Sequence, residues 1–274
     1  MAIARRNYWS RVKPQLVVIA SATLIMTAAY GIRSALHSSL FLVRVVEVAD
    51  QPDSAPVDAQ TITALAAVPV GQINLFDLNL EKTEQRILAN PWIREVQLNK
   101  RFPQTLSISV KFREPEALLE TEHGHLLYID KEGQTFGPVR LLAQSDLSLV
   151  SGMSSKYPAG IPGGINDALK ILREWEKTRA VLSPSAIGSS QIDTLSWDSE
   201  RGFRALMTYP VYTNSVQTRA RVMVNLGREV DGDLVFRLNR LGQVLNYLGT
   251  TDLAVRQIFA ELGKKVVVKT ARRS

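Results

Sequence analysis

Cysteine is absent from this 274-residue chain. That excludes a disulfide framework and any thiolate metal site, and it leaves the redox compartment open. Histidine is scarce, with only His37, His123 and His125. Two of them form the His123-Gly124-His125 tip; with one other histidine and no cysteine, a complete metal site would need scattered carboxylates, so this reads as a solvated hairpin turn. Signatures of chemistry are missing too. No Gly-x-Ser-x-Gly elbow is present, and Gly160-Ile161-Pro162-Gly163-Gly164 is followed by no Lys-Ser or Lys-Thr, so it is not a phosphate loop. Glu114 and Glu116 flank Pro115, which suits a turn better than paired acid and base. The chain reads as a non-enzyme with no cofactor.

What is present is charge at the two ends. The net charge of +7 resides in Arg5, Arg6, Arg11 and Lys13 at the start and in Lys264, Lys265, Lys269, Arg272 and Arg273 at the end. The body between carries −2. A phosphate-tracking surface needs cations clustered on the folded body, so nucleic-acid binding is not expected.

From Pro14 to Ile32 no residue is charged, and Leu16-Val17-Val18-Ile19 and Leu24-Ile25-Met26 are strongly apolar. As a helix the stretch would be roughly 28 Å long, close to the hydrocarbon thickness of a bilayer. The cations before it place the N-terminus in the cytoplasm by the positive-inside rule, with Tyr8 and Trp9 as interfacial anchors. A cleaved signal peptide would have a shorter apolar region and a better small-residue site than Ala28-Ala29-Tyr30-Gly31. The expectation is a transmembrane helix over 14–33, preceded by a basic cytoplasmic tail over 1–13.

Beyond the span the chain reads as α+β. Residues 41–48 are β-branched and predict a strand. Asp58 caps a helix to about Val68, and a second helix starts at Asn79 and ends at Pro91. Val96 and Leu98, then Leu106, Ile108, Val110 and Phe112, alternate with polar neighbours as two strands joined at Arg101-Phe102-Pro103-Gln104. The order is β-α-α-β-β, two helices on one face of a small sheet with at least one free edge. After Arg113-Glu114-Pro115-Glu116 come a hairpin at Gly124, a second turn at Asp130–Gly133 and a loop over 151–164. A helix capped by Asn166 should carry Leu169, Leu172, Trp175 and Leu182. Strands are expected at 190–197 and 202–209. A helix with Leu234, Leu238, Leu241, Leu245 and Leu248 on one face should close at Gly249, and a last strand should run from Lys264 to Thr270.

The anchor and the β-α-α-β-β order resemble the membrane segment and POTRA module of the bacterial cell-division family called FtsQ or DivIB. The resemblance rests on Gly71-Gln72-Ile73-Asn74-Leu75-Phe76, Asn90-Pro91-Trp92-Ile93, Arg101-Phe102-Pro103-Gln104-Thr105-Leu106 and Arg113-Glu114-Pro115. Tyr128-Ile129-Asp130 with Gly133 and Phe136 is similar to the start of that family's second, β-rich domain. Val224-Asn225-Leu226-Gly227-Arg228 followed by Arg237-Leu238 is similar to its later signature. The resemblance implies a POTRA domain over 40–114, a mixed β-sheet domain with two or more helices over 115–270 and a tail over 271–274. It further implies a scaffold of the inner membrane at the division septum, binding small bitopic coiled-coil partners of the FtsB and FtsL type and linking them to septal peptidoglycan synthesis. Other divisome proteins would meet the POTRA domain. The partner-facing residues it implies are Arg228, Lys264, Val266, Val267, Val268 and Lys269, with the last strand taking up a partner strand by β-augmentation. A second partner-facing arginine of some members falls near Glu261, so the resemblance does not carry that contact over, and the length around Tyr212–Met223 departs from the family pattern. The alternative weighed is a POTRA-bearing outer-membrane assembly or secretion component. It would require a β-barrel, for which about 160 residues leave little room. A membrane-tethered hydrolase lacks a nucleophile or metal set.

Overall fold

The computed structural model describes residues 6–49, 51–52, 54–139, 146–153, 164–182, 189–213, 216–251, 255–261 and 266–270. At 6–19, 32, 182, 212–213, 216–217 and 270 it describes the backbone path alone. The chain divides into two compact units, Met1–Phe112 and Arg113–Ser274.

The smaller unit begins with helix α1, Arg6–Leu36. Its described side chains are almost all exposed, including Leu24, Ile25, Met26 and Tyr30. Among the described residues no helix is long and apolar enough to cross a membrane. A 3-10 turn over Ser39–Phe41 leads into strand β1, Val45–Ala49. The expected strand from residue 41 starts later than the sequence suggests. Phe41 and Val43 are tied instead to the Gly71–Leu75 segment, through Leu75 N–H to Phe41 O at 2.7 Å and Val43 N–H to Ile73 O at 3.0 Å.

Helix α2, Ala59–Ala66, is capped by Asp58, whose carboxylate accepts the Thr61 N–H at 2.6 Å. Hydrogen bonds from the Thr61 hydroxyl and then from its N–H hold that carboxyl below its ordinary range. The helix stops at Ala67, in the left-handed region at φ 47°, one residue before the expected end. Helix α3, Leu80–Leu88, is capped by Asn79, which accepts the Lys82 N–H at 2.9 Å, at the expected start. Its Arg86 reaches back to the last carbonyls of α2 at Ala66 and Ala67. Strands β2, Ile93–Arg101, and β3, Thr105–Phe112, form the expected hairpin around a cis Phe102–Pro103 bond. The sheet order is β1-β3-β2 with β1 parallel to β3, so α2 and α3 make the crossover. Ile62, Leu75, Ile87, Ile93, Leu106 and Ile108 fill the core.

The larger unit is a nine-stranded mixed sheet. Its elements are β4 (Pro115–Glu120), β5 (Leu126–Asp130), β6 (Thr135–Pro138), β7 (Leu149–Ser151), α4 (Ile165–Leu182), β8 (Gln191–Asp198), β9 (Gly202–Thr213), β10 (Val216–Gly227), α5 (Leu234–Thr250), β11 (Val255–Phe259) and β12 (Val267–Thr270). The strand order is β12-β11-β10-β9-β8-β7-β4-β5-β6. Parallel joins link β4 to β7, β7 to β8 and β10 to β11. Two expectations about helix ends are corrected. Asn166 lies inside the first turn of α4 rather than capping it, and its Oδ1 sits 2.5 Å from where a Cβ of Gly133 would lie. Gly249 does not close α5, which continues to Thr250. Instead a Cβ at Gly249 would stand 2.8 Å from the Pro210 carbonyl, so glycine lets the helix lie against β9. The stretch after Tyr212 that departs from the family pattern belongs to the long β9–β10 hairpin, with twelve residues in each strand. Leu234, Leu238, Leu241, Leu245 and Leu248 of α5 are buried core, as are Leu169, Leu172 and Trp175 of α4.

Candidate partner-binding edge

Strand β12 is an edge of the nine-stranded sheet. It runs antiparallel to β11, pairing Val267 with Phe259, Val268 with Ile258 and Lys269 with Gln257. Among the described residues nothing pairs with its other side, so a row of backbone donors and acceptors is left open. Strand periodicity sorts the side chains. Val266 and Val268 pack against the core, whereas Val267, 46% exposed, and Lys269 face outward. Of the residues singled out from sequence, Lys264 lies outside the described residues. Among the described residues the strand runs from Val267, with Val266 just before it.

The face that carries Val267 and Lys269 continues inland from the edge, where Asn225 is buried and Phe259, Arg204, Met223 and Leu206 are half-buried. Val267 and Phe259 stand in register with Asn225 and Arg204, while Lys269 and Gln257 stand in register with Met223 and Leu206. Because β10 and β11 are parallel and β12 runs against them, Arg228, Glu261 and the start of β12 share one end of the sheet. Lys269 lies toward the opposite end. Arg228 and Glu261 are both exposed there.

Several groups fix the backbone that presents Arg228. Gly227 has φ +85°, and Gly202, at φ +76°, approaches so closely that a Cβ on it would meet the Gly227 carbonyl at 2.3 Å. The turn before Gly202 is held by Asp198, which accepts N–H groups from Arg201 at 3.0 Å and Glu200 at 2.8 Å. Those bonds, Arg201's first, keep the Asp198 carboxyl below its ordinary range. On the other side, the Arg237 guanidinium is buried, donating to Leu226 O at 2.7 Å, Glu229 O at 2.6 Å and Asp231 Oδ1 at 2.8 Å. It thereby clamps the loop that carries Arg228. Ala260 N–H donates to Asn225 O at 2.9 Å, carrying the β10–β11 pairing up to Glu261.

Strand β11 and the clamping role of Arg237 were not foreseen from sequence. A register irregularity between Val255 and Gln257 breaks the alternation that would have marked β11. The signal for Arg237 was available, since it falls on the apolar face of α5 one turn after Leu234, where a charge must find buried partners. The other sequence candidates stay apart from this edge. His123 and His125 are exposed at the β4–β5 turn, and among the described residues no group of three His, Cys, Asp or Glu side chains is placed to hold a metal ion. Glu114 pairs with Lys131, and Glu116 accepts two hydrogen bonds from Arg173, each at 2.6 Å. These carboxylates are engaged in ion pairs within the larger unit.

Residues 54–113 match a family model described as the FtsQ-type POTRA domain, and residues 117–263 match one described as the C-terminal domain of cell division protein FtsQ/DivIB. The chain is 28% identical over 271 residues to a protein of Geotalea daltonii named cell division protein FtsQ, covering 96% of this chain and 90% of that one. A protein of the same name from Geobacter sp. strain M21 is 27% identical over 213 residues, 78% of this chain and 71% of the relative. Another, from Zymomonas mobilis, is 30% identical over 159 residues, 58% of this chain and 45% of the relative.

Proposed function

The chain belongs to the FtsQ/DivIB family of cell-division proteins, and from that premise we propose that it is a membrane-anchored, non-enzymatic scaffold that captures FtsB- and FtsL-type bitopic partners at the division septum. The observation that carries this reading is the open edge of β12. A partner strand laid along it gains backbone hydrogen bonds, while Val267 and Lys269 on the outward face supply specificity. Arg228, held at the same end of the sheet by the Arg237 clamp, offers a cation to an acidic partner residue. Glu261, exposed at the same end, lies near where some family members carry an arginine, so that second contact is not assigned to this chain.

The anchoring part of the proposal assigns residues 1–13 to the cytoplasm and 14–33 to the bilayer. Residues 40–114 and 115–270 then lie outside as the POTRA and β domains, with a tail over 271–274. Helix α1 supports this, because its apolar residues are spread around the helix rather than gathered on one face. Leu24, Ile25 and Met26 find no protein cover among the described residues. Within the divisome the scaffold links its partners to septal peptidoglycan synthesis, and the POTRA sheet, with edges at β1 and β2, serves further division proteins.

The test is affinity capture of the full-length tagged chain from detergent-solubilised native membranes, with mass spectrometry of what is retained. Two small single-pass coiled-coil proteins are expected, lost on deleting 264–274. In Val267→Pro, which removes a backbone donor from the edge, capture should fall about tenfold or more. A Val267→Pro chain that keeps its fold and binds both partners normally would overturn the docking assignment. Recovery of outer-membrane assembly components instead would overturn the scaffold reading.

A further inference from the structure

Three phenylalanines from separate segments meet on the surface of the smaller unit. Phe41 follows α1, Phe76 lies in the loop before α3, and Phe102 stands in the β2–β3 turn. Their ring centroids are 5.1 Å apart for Phe41–Phe76, 6.3 Å for Phe41–Phe102 and 4.9 Å for Phe76–Phe102. The group is not core. Phe76 is 40% exposed, Phe102 55%, and the neighbouring Leu40 65%.

The position of the cluster is set by the end of α1. Asn74 Nδ2 donates to the Leu36 carbonyl at 2.9 Å, and the His37 ring lies 3.4 Å from Asp77. Both contacts come from the loop that carries Phe76. From Leu36 to Phe41 the chain can extend at most about 17 Å, so the aromatic cluster stays within reach of the plane where α1 ends. Cations accompany it. Lys100 Nζ donates to the Phe76 carbonyl at 3.3 Å, and Arg44, exposed, donates its backbone N–H to the Gln104 carbonyl at 2.9 Å, in the turn that carries Phe102.

We propose that Phe41, Phe76 and Phe102 form a lipid-docking surface that seats the smaller unit on the outer leaflet of the membrane, an inference that rests on the reading of α1 as the anchor. Aromatic rings are favoured at the boundary between headgroups and acyl chains, and Lys and Arg beside them reach phosphates while their stems stay in the apolar zone. Adjacent cations complement an anionic headgroup surface. The occupant is therefore the bilayer itself, in which α1 is already embedded, and α1 confers on the cluster a high local concentration of that surface.

The absence of cysteine makes the test direct. Full-length chain bearing Leu40→Cys labelled with a small fluorophore is placed in nanodiscs of phosphatidylethanolamine and phosphatidylglycerol, with no other protein. Leu24→Cys in α1 and Gln60→Cys on α2 serve as membrane and solvent references. The Leu40 probe is expected to be quenched by brominated acyl chains and shielded from aqueous iodide. Phe76→Glu with Phe102→Glu should cause loss of that lipid quenching. A Leu40 probe open to iodide while the Leu24 probe is lipid-quenched overturns docking and leaves the anchor standing. Protection that appears only in native membranes assigns the cluster to a protein and also overturns it. A Leu24 probe open to iodide overturns the anchor, and docking falls with it. The probe in the unsubstituted cluster decides the matter even where the double glutamate variant fails to fold.

Discussion

The two sheets differ in how far apart along the chain their parts must be brought. In the three-stranded sheet most of the determinants are local: Asp58 and Asn79 cap their own helices, and β2 returns as β3 through the short Phe102–Gln104 turn. Only the parallel join of β1 to β3 is long-range. In the nine-stranded sheet the parallel joins of β4 to β7 and of β10 to β11 bracket intervening elements, and the core exists only once α4 and α5 cover the sheet. One unit is specified turn by turn, and the other by long-range packing.

That contrast predicts where damage will be greatest. Trp175→Ala removes a side chain 1% exposed from α4 and should cost about 3–5 kcal/mol in urea unfolding of the larger unit. A loss below about 1 kcal/mol would mean that α4 does not organise this core. Gly249→Ala should destabilise by about 1–3 kcal/mol, because the new methyl meets the Pro210 carbonyl. In an exposed helix the same change would stabilise by about 1 kcal/mol, so the sign alone tests the close approach of α5 to β9. In the smaller unit Asn79→Ala should cost about 1 kcal/mol, the ordinary worth of a helix cap. The smallest effect is a pH dependence. The folded-state pKa of Asp58 is depressed, so its capping contribution is complete above the unfolded value of about 3.9 and is lost as pH falls through the folded value. Asp58→Asn keeps a capping oxygen without the charge and should flatten that acid limb in pH-dependent unfolding. An unchanged limb would place the acid sensitivity elsewhere.

Legibility followed the same divide. The caps at Asp58 and Asn79, the β2–β3 alternation and the leucine face of α5 could be read from residue types because each is decided within one or two turns of chain. The β-rich edge carrying Val267 could also be read, as a strand of β-branched residues. Its standing as an edge could not, since that depends on which strands pair with it. Gly249 looked like a helix stop because sequence shows its freedom but not the Pro210 carbonyl that requires it. Residues 41–43 looked like the start of β1, but Phe41 ends a 3-10 turn and the strand begins at Val45. Their pairing with the Gly71–Leu75 segment rather than with β3 is settled by Asn74 and its neighbours thirty residues on.

The two margins of the large sheet are unlike, and the difference bears on aggregation. At β6 the margin ends in Gly137, at φ +48°, and Pro138, which has no N–H to offer, features that discourage a second chain from adding on. At β12 the strand Val267-Val268-Lys269-Thr270 has no such guard apart from one lysine. Unpaired among the described residues, that margin offers a template for pairing with a strand of another copy of the chain. Left unpaired, such a margin favours aggregation, and a charge at the outward Val267 would blunt it.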